Sequence, residues 1–146
     1  MKLTLFTDYS MRVLLYLAAR PDRLSSIAEV AQAYNISQNH LMKVVNDLAR
    51  TGYIETLRGR GGGIRLGRKP ADINLGELVR HTEGGFDLVD CGSCIVAPAC
   101  RLTGVLKEAL GAFLSVLDRY SLAELTTEPS QIERLFYTLG NENMPP

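Results

Sequence analysis

Residues 37–66 read SQNHLMKVVNDLARTGYIETLRGRGGGIRL, and the periodicity within them decides the fold. Leu41, Val44, Val45 and Leu48 fall at i, i+3, i+4 and i+7, the apolar stripe of an amphipathic helix. Ser37 opens that helix and Thr51-Gly52 closes it, with Gly52 as the residue past its end. Tyr53–Arg58 and Gly63–Leu66 then read as two strands. The turn between them, Gly59-Arg60-Gly61-Gly62, is rich in residues that accept positive φ. Upstream, Ser26-Ile27-Ala28-Glu29 is a capping-box pattern that starts a short helix to about Tyr34, and Asn35-Ile36 makes a brief turn. Two helices joined so tightly, the second amphipathic, form a helix-turn-helix, and the glycine-rich hairpin behind them is a wing. A first helix, capped by Thr7 or Asp8 and running to about Arg20, puts Met11, Leu14, Leu15 and Ala18 on one face.

The chemistry carried by this half suits a polyanion. Ser37, Gln38, Asn39, His40 and Lys43 lie at the start of the second helix or opposite its stripe. Amide side chains pair with adenine edges, and a lysine reaches guanine or phosphate. Arg58, Arg60, Arg65, Arg68 and Lys69 follow with no acid among them, and Arg60 at the wing tip suits phosphate or minor-groove contact. Arg12 and Tyr9 on the first helix are further candidates for the DNA backbone or minor groove. A plain helical hairpin with a solvated polar face accounts for the two helices alone; the wing tips the reading toward DNA. A nucleotide-cradling glycine loop is excluded, because no helix start follows it and the P-loop Lys-Ser/Thr pair is missing. Net charge is zero, yet residues 1–70 carry 11 Lys/Arg against 5 Asp/Glu, and residues 71–146 carry 5 against 11. The basic half is therefore the one expected to meet nucleic acid.

Composition is that of an ordinary globular chain, 46% hydrophobic and 22% charged over 146 residues. The apolar run Val13–Ala19 is too short for a bilayer and the N-terminus lacks a signal-peptide core, so a cytoplasmic protein without membrane contact is expected. In the second half, Asn74 caps a short helix to about Glu83, Gly84-Gly85 ends it, and Phe86–Val89 is extended. A long helix from Arg101 to about Tyr120 carries Leu102, Leu106, Ala109, Phe113, Val116 and Tyr120 in steps of four and three. Val105, Leu110, Leu114 and Leu117 widen that seam. It reads as a dimerisation helix, with the central helix of a monomeric core as the alternative; a two-fold operator favours the dimer. Ser121 begins another short helix. Ser130-Gln131-Ile132-Glu133 caps a last one to about Leu139, before a frayed tail from Gly140 to Pro146. The fold class is thus mainly α with a small β-hairpin wing. It divides into a winged helix-turn-helix domain (1–70), a cysteine loop with dimerisation helix (71–126), and a C-terminal helix and tail (127–146).

All three cysteines lie in Cys91-Gly92-Ser93-Cys94-Ile95-Val96-Ala97-Pro98-Ala99-Cys100. Thiolates are the ligands of zinc and of iron–sulfur iron, and an odd cluster of them in a chain not expected to be exported argues for metal or redox chemistry. Either centre wants a fourth ligand. His81 is one candidate, giving a Cys3His zinc site and a structural adaptor. A Cys91–Cys94 redox dithiol is another reading, but no βαβ unit accompanies it.

The segments FTDYSMRVLLYLA (6–18), ISQNHLMKVVNDLARTGYIETLRGRGGGIRLGR (36–68), CGSCIVAPACRL (91–102) and FLSVLDRYSLAEL (113–125) resemble the IscR/NsrR family of winged-helix iron–sulfur transcription regulators. The resemblance covers roughly residues 1–126 and is nearest to the family's nitric-oxide-sensing branch. It implies a homodimeric, non-enzymatic repressor on a palindromic double-stranded operator. It also implies an iron–sulfur cluster held by Cys91, Cys94 and Cys100, with Asp8 of the partner subunit as fourth ligand. Nitrosylation of that cluster would release the DNA. The alternative within the family is a response to iron or cluster status, or to oxidation of the thiols. The branch with a histidine three residues after the third cysteine is disfavoured, since Thr103 stands there. The first cysteine spacing is shorter than the family pattern. It leaves both a 4Fe–4S and a 2Fe–2S centre open, and a Cys91–Cys94 disulfide in a cluster-free form.

Overall fold

The computed structural model describes residues 1–142, with side chains through Thr138. Seven helices and one two-stranded antiparallel sheet follow in the order α1 (Leu5–Ala18), α2 (Ile27–Tyr34), α3 (Gln38–Arg50), β1 (Ile54–Leu57), β2 (Gly63–Leu66), α4 (Leu75–Glu83), α5 (Leu102–Leu117), α6 (Leu122–Leu125) and α7 (Pro129–Glu142). A single 3-10 turn, Pro70–Asp72, precedes α4. The mainly helical class with a hairpin wing is what the chain builds.

The axis of the core is α1, which packs against α2, α3, α4, β2, α6 and α7. Surrounded on so many sides, it buries Val13, Leu14, Tyr16, Leu17 and Ala18, while Met11 and Leu15 stay half-buried. The narrower expected face is thus corrected: a helix with neighbours all round keeps no single stripe. Leu41, Val44, Val45 and Leu48 of α3 close the same core, joined by Ile73, Leu78 and Leu122 from the second half. Each such side chain contributes about 1.5–3 kcal/mol by leaving water.

The start of α1 also differs from expectation. Thr4, not Thr7 or Asp8, is the cap, accepting from the Thr7 N–H, and the helix begins one turn earlier. Thr4 wins because the Glu83 carboxylate binds its N–H at 2.8 Å and its hydroxyl at 3.0 Å, a tertiary preference that local pattern does not carry. The Ser26 box forms by half. Ser26 accepts from the Glu29 N–H, but the Glu29 carboxylate turns to Arg23 at 2.9 Å and to the Tyr16 hydroxyl at 3.1 Å. At Ser121 both halves of the box are made.

In the wing, Ile54 pairs with Leu66 and Leu57 with Gly63. The turn has positive φ at Gly59 (95°) and Gly61 (76°). At Gly62 a Cβ would lie 2.1 Å from the Leu57 carbonyl oxygen, so no other residue fits there without moving the strand. The hairpin is tied to the body by Ser25, whose N–H and C=O both bond Ile64, at 3.0 and 2.7 Å.

The seam on α5 is present, but it lies on the outside of the chain. Leu114 is its one buried residue, while Leu102, Val105 and Val116 are exposed. A helix central to a monomeric core is therefore not what forms. The final helix starts at Pro129 rather than after a Ser130 cap and continues to Glu142. Of the frayed tail expected from Gly140, residues 143–146 lie outside the described residues. α7 docks on the body through Phe136, 4.8 Å from the Tyr16 ring and 5.1 Å from that of Tyr34. The Arg20 guanidinium fills the seam, 4.3 Å over Tyr16 and 5.6 Å from Phe136, with Glu133 at 3.7 Å. Among the described residues no helix is long and apolar enough to cross a membrane.

Candidate DNA-reading surface and cysteine loop

The turn between α2 and α3 is made by Asn35, left-handed at φ 54° and ψ 51°. Asparagine tolerates that region better than other side chains, and the Ile36 N–H closes back on Ala31 at 2.9 Å. α3 then projects with its apolar side buried and Ser37, Gln38, Asn39, His40 and Lys43 all exposed. Ser37 occupies the cap position without using its hydroxyl to cap. Among the described residues, Gln38, Asn39 and Lys43 make no side-chain hydrogen bond within the chain. His40 leans on Tyr9 of α1, their ring centroids 6.4 Å apart.

The wing's five cations are not equivalent. Arg65 pairs with Glu55 at 2.9 Å across the strands. Arg68 donates to the Thr51 carbonyl at 2.9 Å and stacks on Tyr53 at 4.3 Å. Arg58 and Arg60, at the turn, are exposed and free of such partners among the described residues. Arg12 is also engaged: its Nε donates to Asp8 Oδ1 at 2.9 Å, one helical turn back.

The cysteine loop has no regular element, but it has a repeat. The Cys94 N–H closes on the Cys91 carbonyl, Ala97 on Cys94, and Cys100 on Ala97, at 3.2–3.3 Å. These are successive turns with a three-residue step, not a helix, and they do not by themselves gather the three thiols into one metal-holding group. The C-x2-C-x5-C spacing is one step and two steps of this repeat. All three thiols are free, so no Cys91–Cys94 disulfide is formed. The Leu102 N–H points at Cys100 Sγ at 3.4 Å, and Thr103 Oγ1 lies 3.3 Å from Cys91 Sγ. Thr103, three residues after Cys100, thus puts a hydroxyl in hydrogen-bond reach of the Cys91 sulfur.

Among the described residues no three His, Cys, Asp or Glu side chains converge to hold a metal within one chain. The donor chemistry nonetheless fits an iron–sulfur centre: three soft thiols on an exposed loop, with N–H and O–H groups aimed at two sulfurs. One chain offers three thiols to a centre that wants four ligands. His81 is not placed as the fourth. Its Nε2 lies 2.7 Å from Asp47 Oδ2 on α3 and its ring is near Tyr53, so within one chain the described residues do not bring it into a Cys3His group. Asp47, Glu83 and Thr4 had no signal in the sequence, since each partner stands 34 or 79 residues away.

Residues 3–128 match the Rrf2 family, described as an iron-dependent transcriptional regulator. The protein named HTH-type transcriptional regulator NsrR in Bacillus subtilis is 54% identical over 141 residues, 92% of this chain and 97% of that one. Its namesake in Halalkalibacterium halodurans is 51% identical with the same coverage. Among solved structures, CymR, the global cysteine regulator of B. subtilis, is 26% identical with a TM-score of 0.68, over 87% of this chain and 97% of that one. T. potens IscR, at 22% identity and a TM-score of 0.72 over 88% of each chain, shares the fold. A winged helix-turn-helix, a cysteine loop and relatives of this kind make the chain a transcription regulator, not an enzyme: it belongs to the Rrf2 family.

Proposed function

We propose that the protein is a homodimeric, cytoplasmic repressor that grips a palindromic double-stranded operator and senses nitric oxide through an iron–sulfur cluster, 4Fe–4S or 2Fe–2S, whose nitrosylation releases the DNA. The observation that carries this reading is the cysteine loop: three free thiols at steps of a three-residue repeat, one ligand short, beside an uncovered α5. In this reading residues 1–70 read DNA, residues 71–126 hold the cluster and the dimer seam, and residues 127–146 form a C-terminal unit whose α7 braces the body through Phe136. Cys91, Cys94 and Cys100 hold the cluster, and Asp8 of the partner subunit completes it. When bound, the cluster supplies iron that nitric oxide ligates strongly. Asp8 suits an exchangeable position, because a carboxylate is a harder iron ligand than a thiolate. It also has a competing partner within its own chain, since Arg12 Nε claims Oδ1 at 2.9 Å. Without a bond to iron, Asp8 has the Arg12 guanidinium to pair with, as it does in the single chain.

On the DNA side, Gln38, Asn39, His40 and Lys43 meet base edges, with Ser37, Arg58, Arg60, Arg12 and Tyr9 on the backbone. Half-sites one helical turn apart, ~34 Å, tolerate little relative movement of the two reading helices, so a ligand shared between subunits is well placed to gate binding.

The test is to purify the protein without oxygen, assay iron and sulfide, and titrate nitric oxide while following binding to a duplex selected by the protein from a random pool. Loss of binding in step with nitric oxide is expected. A colourless zinc protein that ignores nitric oxide, or one that answers only to iron withdrawal or peroxide, overturns the signal assigned here. Asp8→Ala is expected to remodel or weaken the cluster, and an unchanged absorption spectrum would refute its role as ligand. Arg60→Ala should weaken binding to all duplexes alike and lower the salt slope by about one.

A further inference from the structure

We infer that His81, through its contact with Asp47, is a positioning residue that couples the first turns of α1 to the reading helix α3; this rests on the cluster-gated reading above. The last turn of α4 touches both helices. On one side Glu83 Oε1 receives the Thr4 N–H at 2.8 Å and lies 2.5 Å from the Thr7 hydroxyl, which is also 2.8 Å from that of Thr82. Burial pushes the Glu83 carboxyl up, but these hydrogen bonds from Thr7 and Thr4 outweigh it and hold the group below its ordinary range. The grip on α1 is therefore charged and directional. On the other side His81 Nε2 lies 2.7 Å from Asp47 Oδ2, while Arg50 holds Asp47 Oδ1 at 2.7 Å.

A second contact joins α1 to α3 directly, Tyr9 against His40. His40 and Asp47 are seven residues apart, which places them two turns apart on nearly the same side of α3. Beyond the shared core, the reading helix is thus tied at two further points, and both lead back to the first turns of α1. Those turns carry Asp8, between Thr7, which Glu83 holds, and Tyr9, which His40 meets. A shift of α1 on losing its bond to the partner's cluster changes both mounts together, and a helix moved at two points tilts.

The contact is not needed to bury α3, whose Leu41, Val44, Val45 and Leu48 do that. Asp47 lies beside that stripe with its side chain 16% exposed, and His81 at 34% is open enough that the pair adds little to global stability. Its effect belongs to position.

The experiment compares wild type, His81→Ala, His81→Gln, Asp47→Asn and the His81→Ala, Asp47→Asn double variant, each with its cluster and after iron is stripped by chelation under reducing conditions. Affinity is measured for a duplex selected by the wild type and for a random-sequence duplex, alongside iron content and thermal midpoint. His81→Ala is expected to lose about tenfold of the cluster-loaded affinity for the selected duplex. Its stripped-form and random-duplex affinities should match wild type, with iron content kept. His81→Gln, whose amide can still donate to Asp47, should restore most of the loss. The His81→Ala, Asp47→Asn double variant should lose no more than the single. Equal weakening of loaded and stripped forms, or an unchanged ratio between them, overturns the coupling while leaving the cluster-gated reading intact. A wild type whose affinity ignores the cluster overturns both.

Discussion

Val105→Glu is expected to leave the protomer folded and to abolish the dimer. Val105 is 59% exposed, so a carboxylate there costs the single chain little. It lies on the same uncovered side of α5 as Leu102 and Val116, where a second copy of the helix would bury it without a partner. An unpaired charge in such a seam costs several kcal/mol, enough to empty it at micromolar protein. The operator is then met by one reading helix at a time. Losing the linked second half-site removes about 10²–10⁴ in affinity without touching a DNA contact. Sedimentation should give half the wild-type mass, with a thermal midpoint near that of a dilute wild-type sample. Unchanged mass would exclude α5 as the seam.

Cys100→Ala carries the other large effect. Cys100 ends the run of three-residue closures, and its sulfur receives the Leu102 N–H at the start of α5. Removing it leaves two thiols, too few for the proposed cluster, whose fourth ligand is assigned to the partner subunit. Iron and sulfide should fall to background in protein purified without oxygen. Affinity for the selected duplex should drop to that of nitric-oxide-treated wild type, about 10–100-fold, the range of a typical coupling between sites. Protein that keeps stoichiometric iron after this change would show that the loop is not the ligand set.

The reading half of the molecule was legible because its signals are local. The stripe Leu41, Val44, Val45 and Leu48, the break at Thr51-Gly52 and the glycine turn of the wing need only a helix period and a φ preference. What escaped was set by partners far along the chain. Thr4 and Thr7 are both reasonable caps, and the choice is made by Glu83. Glu29 satisfies a box on paper, yet Arg23 and Tyr16 offer it a better charge and a buried hydroxyl. His81 was one candidate for a fourth metal ligand, and its partner in the fold, Asp47 34 residues away, has no local signal in the sequence. The cysteine loop lies between these cases. Its spacing already contained the three-residue step, but only the backbone closures give that step a geometry.

The packing of Phe136 between Tyr16 and Tyr34 gives the molecule an optical handle. The chain has six tyrosines and no tryptophan, so its ultraviolet emission is tyrosine emission alone. Two of those emitters face the docked α7 ring and the Arg20 guanidinium. Departure of α7 exposes both phenols to water at once, and the Tyr34 hydroxyl, which donates to the Arg12 carbonyl at 2.9 Å, senses the same event from the α1 side. Whether α7 leaves the body can therefore be followed in solution on the unlabelled protein.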